Sequence, residues 1–255
     1  MKDWLAYYMP PDYSAHGPEL DRLNANVHWL MLILFVGWGL VFLFMLTRFR
    51  AVKHPRAIYH GTKSHLSTYA EAGILIVEIV LLVVFSIPLW ARWTQPPGPD
   101  QNPLQVRVVA EQFAWNVHYP GADNIFGKTD VSLVTSSNPL GLDVTDPHAK
   151  DDIVTLNQLY MQVNRPIIVR LSSKDVIHSF GLPYMRVKQD AIPGMQVPIH
   201  FTPVKTSGDE PWEIACAQLC GLGHYRMRGQ YHVQTKEDFE KWLASQTPLA
   251  ASISG

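Results

Sequence analysis

Two long apolar runs dominate the first third of the chain. The first run covers residues 27–47 and has no charged side chain, whereas the second covers residues 70–90 and carries two carboxylates, Glu71 and Glu78. A helix of about 20 apolar residues is long enough to cross the hydrocarbon core of a bilayer. The pattern therefore predicts two membrane-spanning helices, joined into a transmembrane hairpin over residues 27–93.

The loop between the two runs, residues 48–69, is basic. It has no Asp or Glu, whereas the segment before the first run, residues 1–26, has more carboxylates than basic side chains. The basic residues of the loop are Arg48, Arg50, Lys53, Arg56 and Lys63. Short loops rich in Lys and Arg remain on the cytoplasmic side of a membrane. Residues 1–26 and the chain after residue 93 are therefore predicted to lie outside the cytoplasm. The first run is longer than the apolar region of a cleaved signal peptide, so a retained helix is expected.

The pattern changes after residue 93. Residues 94–103 are rich in proline and predict a stiff linker. Short β-branched and aromatic runs then follow, at residues 104–119, 166–173, 196–204, 211–217 and 229–235. Several short runs separated by turn residues are typical of an antiparallel sandwich or barrel. An all-β domain is therefore predicted over residues 104–235.

Two further stretches differ from the strand pattern. Residues 120–152 are rich in Gly, Asp and Asn, and are predicted to form a long irregular insertion in the β domain. The final segment, residues 236–255, is predicted to begin with a short amphipathic helix over residues 236–246. The apolar side of that helix would consist of Phe239, Trp242 and Leu243.

Composition narrows the possible functions. Charged residues make up 17% of the chain, below the roughly 25% that is usual for soluble domains, which agrees with membrane segments. The formal net charge of −1 provides no basic excess, so nucleic acid is not an expected partner. Only two cysteines occur, Cys216 and Cys220, and they are too few for a disulfide scaffold.

Four side chains that can bind a metal lie within one short segment near the end of the β domain. Cys216, Cys220, His224 and Met227 follow the spacing Cys-x3-Cys-x3-His-x2-Met. Two thiolates, an imidazole and a thioether form a soft donor set that suits copper. Zinc fits less well, because its structural sites have closer Cys spacing and no Met. The second cysteine provides enough thiolate to bridge two metals.

A fifth donor, His178, lies farther back along the chain, after an apolar strand. Strand pairing would bring it to the metal loop, as in a cupredoxin. Simpler interpretations remain open at this point. The two cysteines could form a disulfide, His178 could be a packed histidine, and Met227 could be part of the core.

These two motifs carry a family resemblance. The segments DVIHSFGLPYMRVKQDAIPGM (residues 175–195) and CAQLCGLGHYRMRGQYHV (residues 216–233), placed after a helical hairpin and an aromatic QFAW strand, resemble subunit II of cytochrome c oxidase, a haem–copper oxidase. The resemblance covers nearly the whole chain except the 120–152 insertion. It implies a cupredoxin-like domain with two copper ions in a binuclear CuA centre. The ligands so implied are the side chains of His178, Cys216, Cys220, His224 and Met227 and the backbone carbonyl oxygen of Gln218.

The resemblance also implies a role and partners. Electrons would come from a cytochrome c-type donor and pass to the haem of subunit I, where oxygen is reduced and protons are pumped. Subunit I, other oxidase subunits and membrane lipid are the expected partners, in a bacterial plasma membrane. A carboxylate at the cytoplasmic end of the second span, Glu71, matches the family glutamate at the mouth of a proton pathway. No role is predicted for Glu78.

Two positions depart from the family pattern. The family usually has Glu at the position of Gln218, where the side chain helps to bind magnesium at the subunit I boundary. A neutral amide is a weaker ligand for a hard cation. The resemblance therefore does not decide whether a magnesium site is present. The aromatic strand usually begins Gln-Trp, and that Trp receives the electron. Here Phe113 occupies that position and Trp115 follows it, so both are candidates for the point at which electrons enter, although packing explains them equally well.

Three other classes of protein compete with this interpretation. A membrane-anchored copper chaperone also uses Cys-x3-Cys with a remote His, but it has a thioredoxin-like α/β domain and lacks the His-x2-Met that follows. A nitrous oxide reductase shares the ligand motif but is soluble and carries a large propeller domain. The quinol-oxidizing version of the same subunit lacks the cysteines.

Overall fold

The computed structural model describes residues 9–56, 59–60 and 64–253. Helix α1 spans Gly17–Arg48. A second helical segment consists of α2 (Leu66–Val80), a π-helical stretch (Leu81–Ser86) and α3 (Ile87–Trp93). The helical hydrogen-bond pattern changes from α to π just before Pro88, because proline has no N–H to donate to the preceding turn. Parts of the predicted 1–26 segment and of the 48–69 loop, including Lys63, lie outside the described residues.

Both helical segments are long and apolar enough to cross a membrane. Their apolar stretches are almost fully exposed, with 0% of the first and 6% of the second buried. A core helix of a soluble protein would bury such side chains against other elements, because exposing them to water is costly. The predicted pair of apolar helices before a β domain is confirmed.

The chain divides into two compact units. One contains residues 19–95, and the other contains residues 9–18 and 96–253 of the described chain. The division falls inside the proline-rich stretch 94–103, in which Pro99–Gln101 form a single 3₁₀ turn. The residues just before α1 belong with the β unit, because Ser14 forms a β-bridge with Pro203.

The β unit contains ten strands. They are β1 (Leu104–Glu111), β2 (Ala114–Tyr119), β3 (Ile153–Leu156), β4 (Gln158–Gln162), β5 (Ile167–Ser173), β6 (His178–Leu182), β7 (Val187–Ala191), β8 (Val197–Phe201), β9 (Trp212–Cys216) and β10 (Arg228–Gln234). They form two five-stranded sheets, in the orders β3-β2-β1-β5-β8 and β4-β10-β9-β6-β7.

The predicted run 104–119 is two strands rather than one. β1 and β2 form an antiparallel hairpin that turns at Gln112 and Phe113, with Glu111 opposite Ala114. The prediction of a purely antiparallel domain is also wrong, because β1 pairs with β5, and β4 with β10, in parallel. Alternation of apolar and polar residues shows which side chains face the core, but it contains no information about strand direction.

The core lies between the two sheets. β1 alternates buried and half-buried residues along its whole length, so one face of the first sheet is apolar. Trp115, Phe180 and Tyr231 are among the large side chains that are fully buried there. Helix α4 (Lys236–Ser245) closes one end, with Phe239 buried and Trp242 stacked on Tyr160 at 4.1 Å between ring centroids.

The 120–152 insertion is irregular apart from two 3₁₀ turns, at Val131–Leu133 and Pro147–Lys150, and one isolated antiparallel bridge between Thr129 and Leu142. It is nevertheless anchored to the first sheet by a buried hydrogen bond, 2.7 Å long, between His118 Nε2 and Asp152 Oδ2. The same carboxylate oxygen accepts a hydrogen bond from the backbone N–H of Gly127 at 2.8 Å. Leu142 and Ala149 of the insertion pack with Leu249 of the final helix α5 (Leu249–Ile253) in a second small core.

Replacement of the buried carboxylate in Asp152→Ala should therefore destabilise the β unit. Two buried donors would lose their acceptor, and the expected loss in the free energy of unfolding is about 3 kcal/mol. The midpoint of urea unfolding of the purified full chain, followed by tryptophan fluorescence, measures this loss. The matched control is Asp123→Ala, which removes a carboxylate from an exposed pair with His148 in the same insertion. Equal shifts for the two variants would contradict this role of Asp152.

Candidate metal centre

Strand pairing in the second sheet positions the remote histidine. His178 is the first residue of β6, and Cys216 is the last residue of β9. These strands are antiparallel neighbours, with Phe180 opposite Cys216. The loop between β9 and β10 then carries Cys220, His224 and Met227 back over the same end of the sheet.

The five predicted side-chain donors converge at this end. The sulfur atoms of Cys216 and Cys220 are 3.8 Å apart. Cys220 Sγ lies 3.6 Å from His224 Nδ1 and 3.7 Å from Met227 Sδ. Donor atoms of His178, Cys216 and Cys220 all lie within 4.8 Å of one another. Both cysteines are free, since their sulfur separation far exceeds the roughly 2.05 Å of a disulfide bond.

Gln218 presents its backbone to the site. Its carbonyl oxygen is 3.3 Å from Cys216 Sγ, while the residue as a whole is exposed. The carbonyl oxygen is thus positioned beside the sulfur atoms. The amide side chain is the group that differs from the family pattern.

The orientation of His178 shows that the site fits a metal ion. Its Nε2 is hydrogen-bonded to Asp175 Oδ1 at 2.9 Å, whereas its Nδ1 is buried and has no hydrogen-bond partner. A buried ring nitrogen without a partner is costly, unless it binds something that the protein alone does not supply. Metal-bound histidines usually direct their other ring nitrogen to a carboxylate in this way. Together with two thiols and a thioether, this nitrogen makes a donor set suited to copper.

Burial also affects the chemistry of the thiols. Cys220 and Met227 are buried, while Cys216 and His224 are half-buried. Burial, followed by the neighbouring Cys216 thiol and the carboxylate of Asp175, raises the pKa of Cys220 to about 11. Without metal, Cys220 therefore keeps its proton at neutral pH, and a bound cation would have to displace that proton.

Two residues that sequence analysis did not identify support the site. Asp175 accepts a hydrogen bond from the backbone N–H of Gln112 at 2.7 Å, in addition to its contact with His178. The side-chain amide of Gln112 donates to the carbonyl oxygen of Cys220 at 2.7 Å. Burial opposes ionisation of Asp175, but hydrogen bonds from His178, Gln112 and Val176 outweigh it and lower the pKa of Asp175. The position of Asp175, three residues before a candidate ligand, is the sequence signal that could have revealed it.

The two aromatic candidates occupy different depths. Phe113 is half-buried against the metal loop, where a Cβ atom on Gly223 would lie only 2.4 Å from the phenyl ring. Gly221, with φ +128°, likewise allows Gln112 to approach closely. Trp115 is fully buried and its ring centroid is 6.2 Å from that of His178, edge to face. Of the two, only Phe113 reaches the surface, and the role of both in electron transfer stays a prediction.

Glu71 and Glu78 lie on α2 and are both exposed. Glu71 is in the second turn of the helix, and Glu78 is about two turns further along. The role predicted for Glu71 stays a prediction.

Comparison with known proteins identifies the class. The sequence signature of "Cytochrome C oxidase subunit II, periplasmic domain" matches residues 104–230. The chain is 29% identical to the alternative cytochrome c oxidase subunit 2 of Bradyrhizobium diazoefficiens, over 92% of this chain and 82% of that protein. It is 27% identical to a probable cytochrome c oxidase subunit 2 of Rickettsia felis, over 97% of this chain and 73% of that protein. The periplasmic domain of subunit II of a Bradyrhizobium japonicum cytochrome oxidase has a solved structure with 28% identity and a TM-score of 0.40, covering 56% of this chain and 91% of that one.

Two apolar helices, each long enough to cross a membrane, precede a two-sheet, cupredoxin-like β domain. With the sequence match, the chain belongs to the cytochrome c oxidase subunit II family, and is thus one component of an oxidoreductase complex with other subunits. The helices and the periplasmic-domain match fit a membrane protein whose C-terminal domain lies outside the cytoplasm.

The difference in burial between the two thiols predicts their relative reactivity. In the metal-free chain at pH 8, iodoacetamide should modify Cys216 well before Cys220, because Cys220 is buried and protonated. Its modification should accelerate as the pH rises towards 11, since only the thiolate reacts. Peptide mass spectrometry at timed intervals measures both rates. Equal rates at pH 8 would contradict the assigned environment of Cys220.

The contact between Asp175 and His178 predicts an effect on metal affinity. Asp175→Ala removes the group that orients the imidazole and should weaken copper binding about 10- to 100-fold. Competition with a chelator of known affinity measures the change. Glu213→Gln is the matched control, because that carboxylate pairs at the surface with Arg228, at 3.3 Å, on the same sheet. Unchanged affinity in Asp175→Ala, with normal folding by circular dichroism, would rule out this positioning role.

Proposed function

We propose that this chain receives electrons from cytochrome c at a binuclear copper centre of the CuA type and passes them to the haem of subunit I. In the assembled oxidase, that transfer serves oxygen reduction coupled to proton pumping, in a bacterial plasma membrane. The proposal is based mainly on one observation. Five soft or nitrogen donors from two distant segments converge, and one of them, His178 Nδ1, is buried without a partner.

The residues present fit two copper ions. Cys216 and Cys220, whose sulfur atoms are 3.8 Å apart, would provide two thiolates, and His178 and His224 would provide one nitrogen each. Met227 and the carbonyl oxygen of Gln218 complete the set. Copper, when bound, supplies a one-electron redox couple. No magnesium ligand is assigned here, because Gln218 offers a neutral amide where a hard cation favours a carboxylate.

The protein contributes rigidity and exclusion of water. Asp175 holds His178, and Gln112 holds the carbonyl group of Cys220, so the donors are held in place by hydrogen bonds. His178, Cys220 and Met227 are each less than 5% exposed, which keeps water away from the donors. Ligands held in this way move little when the charge changes, and a small rearrangement favours fast electron transfer.

The surface around the metal loop suits a docking partner. Leu222 is 97% exposed and Tyr225 is 77% exposed, and both belong to the loop whose Gly221 and Gly223 lie against Phe113. Clustered exposed apolar side chains commonly mark sites of protein–protein contact. We assign this surface to the cytochrome c-type donor, with Phe113 at the point where electrons enter and Trp115 beneath it. Glu71 is proposed to lie at the entrance of a proton pathway from the cytoplasm.

The membrane-anchored copper chaperone is not favoured. That class has a thioredoxin-like α/β domain, whereas the unit that carries the cysteines here consists of two packed β-sheets. The additional donors His224 and Met227 also contact Cys220 directly.

Copper loading of the purified full chain tests the proposal. We expect two coppers per chain, and an electron paramagnetic resonance spectrum whose hyperfine pattern shows one unpaired electron shared by both. Cys216→Ser should lose this pattern, because a single thiolate remains. Gln218→Ala is the matched control and should retain it, since the backbone carbonyl oxygen is still present. One copper per wild-type chain with a single-centre spectrum would overturn the proposal.

A further inference from the structure

A second candidate site lies on the outer face of the first sheet, and none of the candidate metal ligands lines it. The 120–152 insertion covers this face and leaves a cavity of about 560 Å³ beneath it. Val109 and Arg107 of β1 line the sheet side, and Val131, Val134 and Leu140 of the insertion line the other side. A cavity of this volume is typical of small-molecule sites, which usually combine apolar walls with a few placed polar groups.

Arg107 is the principal polar group of the cavity. Its guanidinium lies 4.1 Å above the ring of Phe126, a residue of the insertion. Its Nε is buried and has no hydrogen-bond partner, and no carboxylate pairs with it among the residues that the structure describes. Arg107 as a whole is half-buried. Partial burial of a charge without an ion-pair partner is costly, because the charge loses solvation.

The surroundings increase this cost. Arg107 lies directly opposite Arg170 on the neighbouring strand β5, and like charges in register repel each other. Burial, followed by the nearby Arg170, lowers the pKa of Arg107, and Asp152 compensates only in part. The protein thus holds a cation in a position that favours an external anion.

The remaining charges of the cavity do not neutralise Arg107. Asp130 lines the cavity, but its carboxylate accepts hydrogen bonds from the backbone and hydroxyl groups of Ser132, at 2.7 and 2.6 Å. Lys174 pairs with Glu111 at 2.6 Å. Asp152 is engaged by His118 and Gly127 through Oδ2 alone. Its buried Oδ1 has no hydrogen-bond partner, and its charge raises the pKa of Arg107 without forming a hydrogen bond to it. Arg107 is therefore the one charged group lining the described cavity whose side chain has no such partner.

We propose that this cavity binds a small organic anion, a carboxylate with an apolar body, whose carboxylate pairs with Arg107 and whose body lies between Val109 and the valines of the insertion. The residues that line the cavity account for both parts of the ligand, its carboxylate and its apolar body. A cation without a partner selects the charge, and apolar walls on two sides select the body. Because the insertion forms one wall, a bound anion ties the insertion to the sheet. The proposed site uses none of the candidate copper ligands.

Hydrogen exchange of the full chain in detergent, followed by mass spectrometry, tests the proposal. The probe is sodium benzoate, compared with sodium chloride at equal ionic strength. Benzoate at ten times its dissociation constant should slow amide exchange in residues 126–142 about tenfold, because local opening of the insertion releases the ligand. Exchange in β9 and β10 should not change. Inorganic phosphate, which lacks an apolar body, should have little effect.

Two variants and one control make the test specific. Arg107→Gln should abolish the effect of benzoate, and Val134→Trp should do the same by filling the cavity while keeping Arg107. Arg170→Gln is the matched control: it removes the neighbouring cation, which does not line the cavity, and should retain the response. Unchanged exchange with benzoate in the wild-type chain would overturn the proposal. The proposal would also be overturned if either cavity variant responded to benzoate as strongly as the wild-type chain, or if phosphate acted as strongly as benzoate.

Discussion

The pairing of β6 with β9 is the interaction on which the candidate metal centre depends. It places the first residue of one strand beside the last residue of the other, so His178 meets a loop that is far away in sequence. Both strands are internal to a five-stranded sheet and have neighbours on each side. Backbone hydrogen bonds along both edges therefore hold the separation between the two segments, and the loop only has to close from Cys216 to β10.

A small hydrogen-bond network extends this rigidity to the other sheet. Gln112 belongs to the β1–β2 turn of the first sheet, yet it contacts both Asp175 and the carbonyl group of Cys220. Asp175 in turn holds His178. The two sheets are thus connected at the metal end by polar contacts as well as by the apolar core. The same turn places Phe113 against Gly223, which has no side chain to obstruct it. The β1–β2 turn therefore provides both the hydrogen bonds that support the candidate ligands and the half-buried aromatic residue Phe113.

The 120–152 insertion is held in place by different interactions. Its few regular elements do not stabilise it by themselves, and its anchors are the buried pair His118–Asp152 and the small core around Leu142. Because it covers the outer face of the first sheet, it converts strand positions that would face water into the lining of a cavity. Ser173, which lines that cavity, also hydrogen-bonds to Asp175 through its hydroxyl group, at 3.3 Å. The cavity and the supports of the metal centre are therefore neighbours along β5.

The sequence by itself determined the helical pair, the class of domain and the candidate ligands, because each depends on local order along the chain. Hydropathy over about 20 residues defines a membrane helix, and four of the five side-chain donors lie in one loop with a distinctive spacing. Only the tertiary structure decided the strand directions, the division of residues 104–119 into a hairpin, and the strands β3, β4, β6 and β7. It alone also revealed the supporting roles of Asp175 and Gln112, the depth of Trp115 and the isolation of Arg107. Each of these depends on contacts between residues distant in sequence, and no local pattern encodes which strand lies beside which or which polar atom is left without a partner.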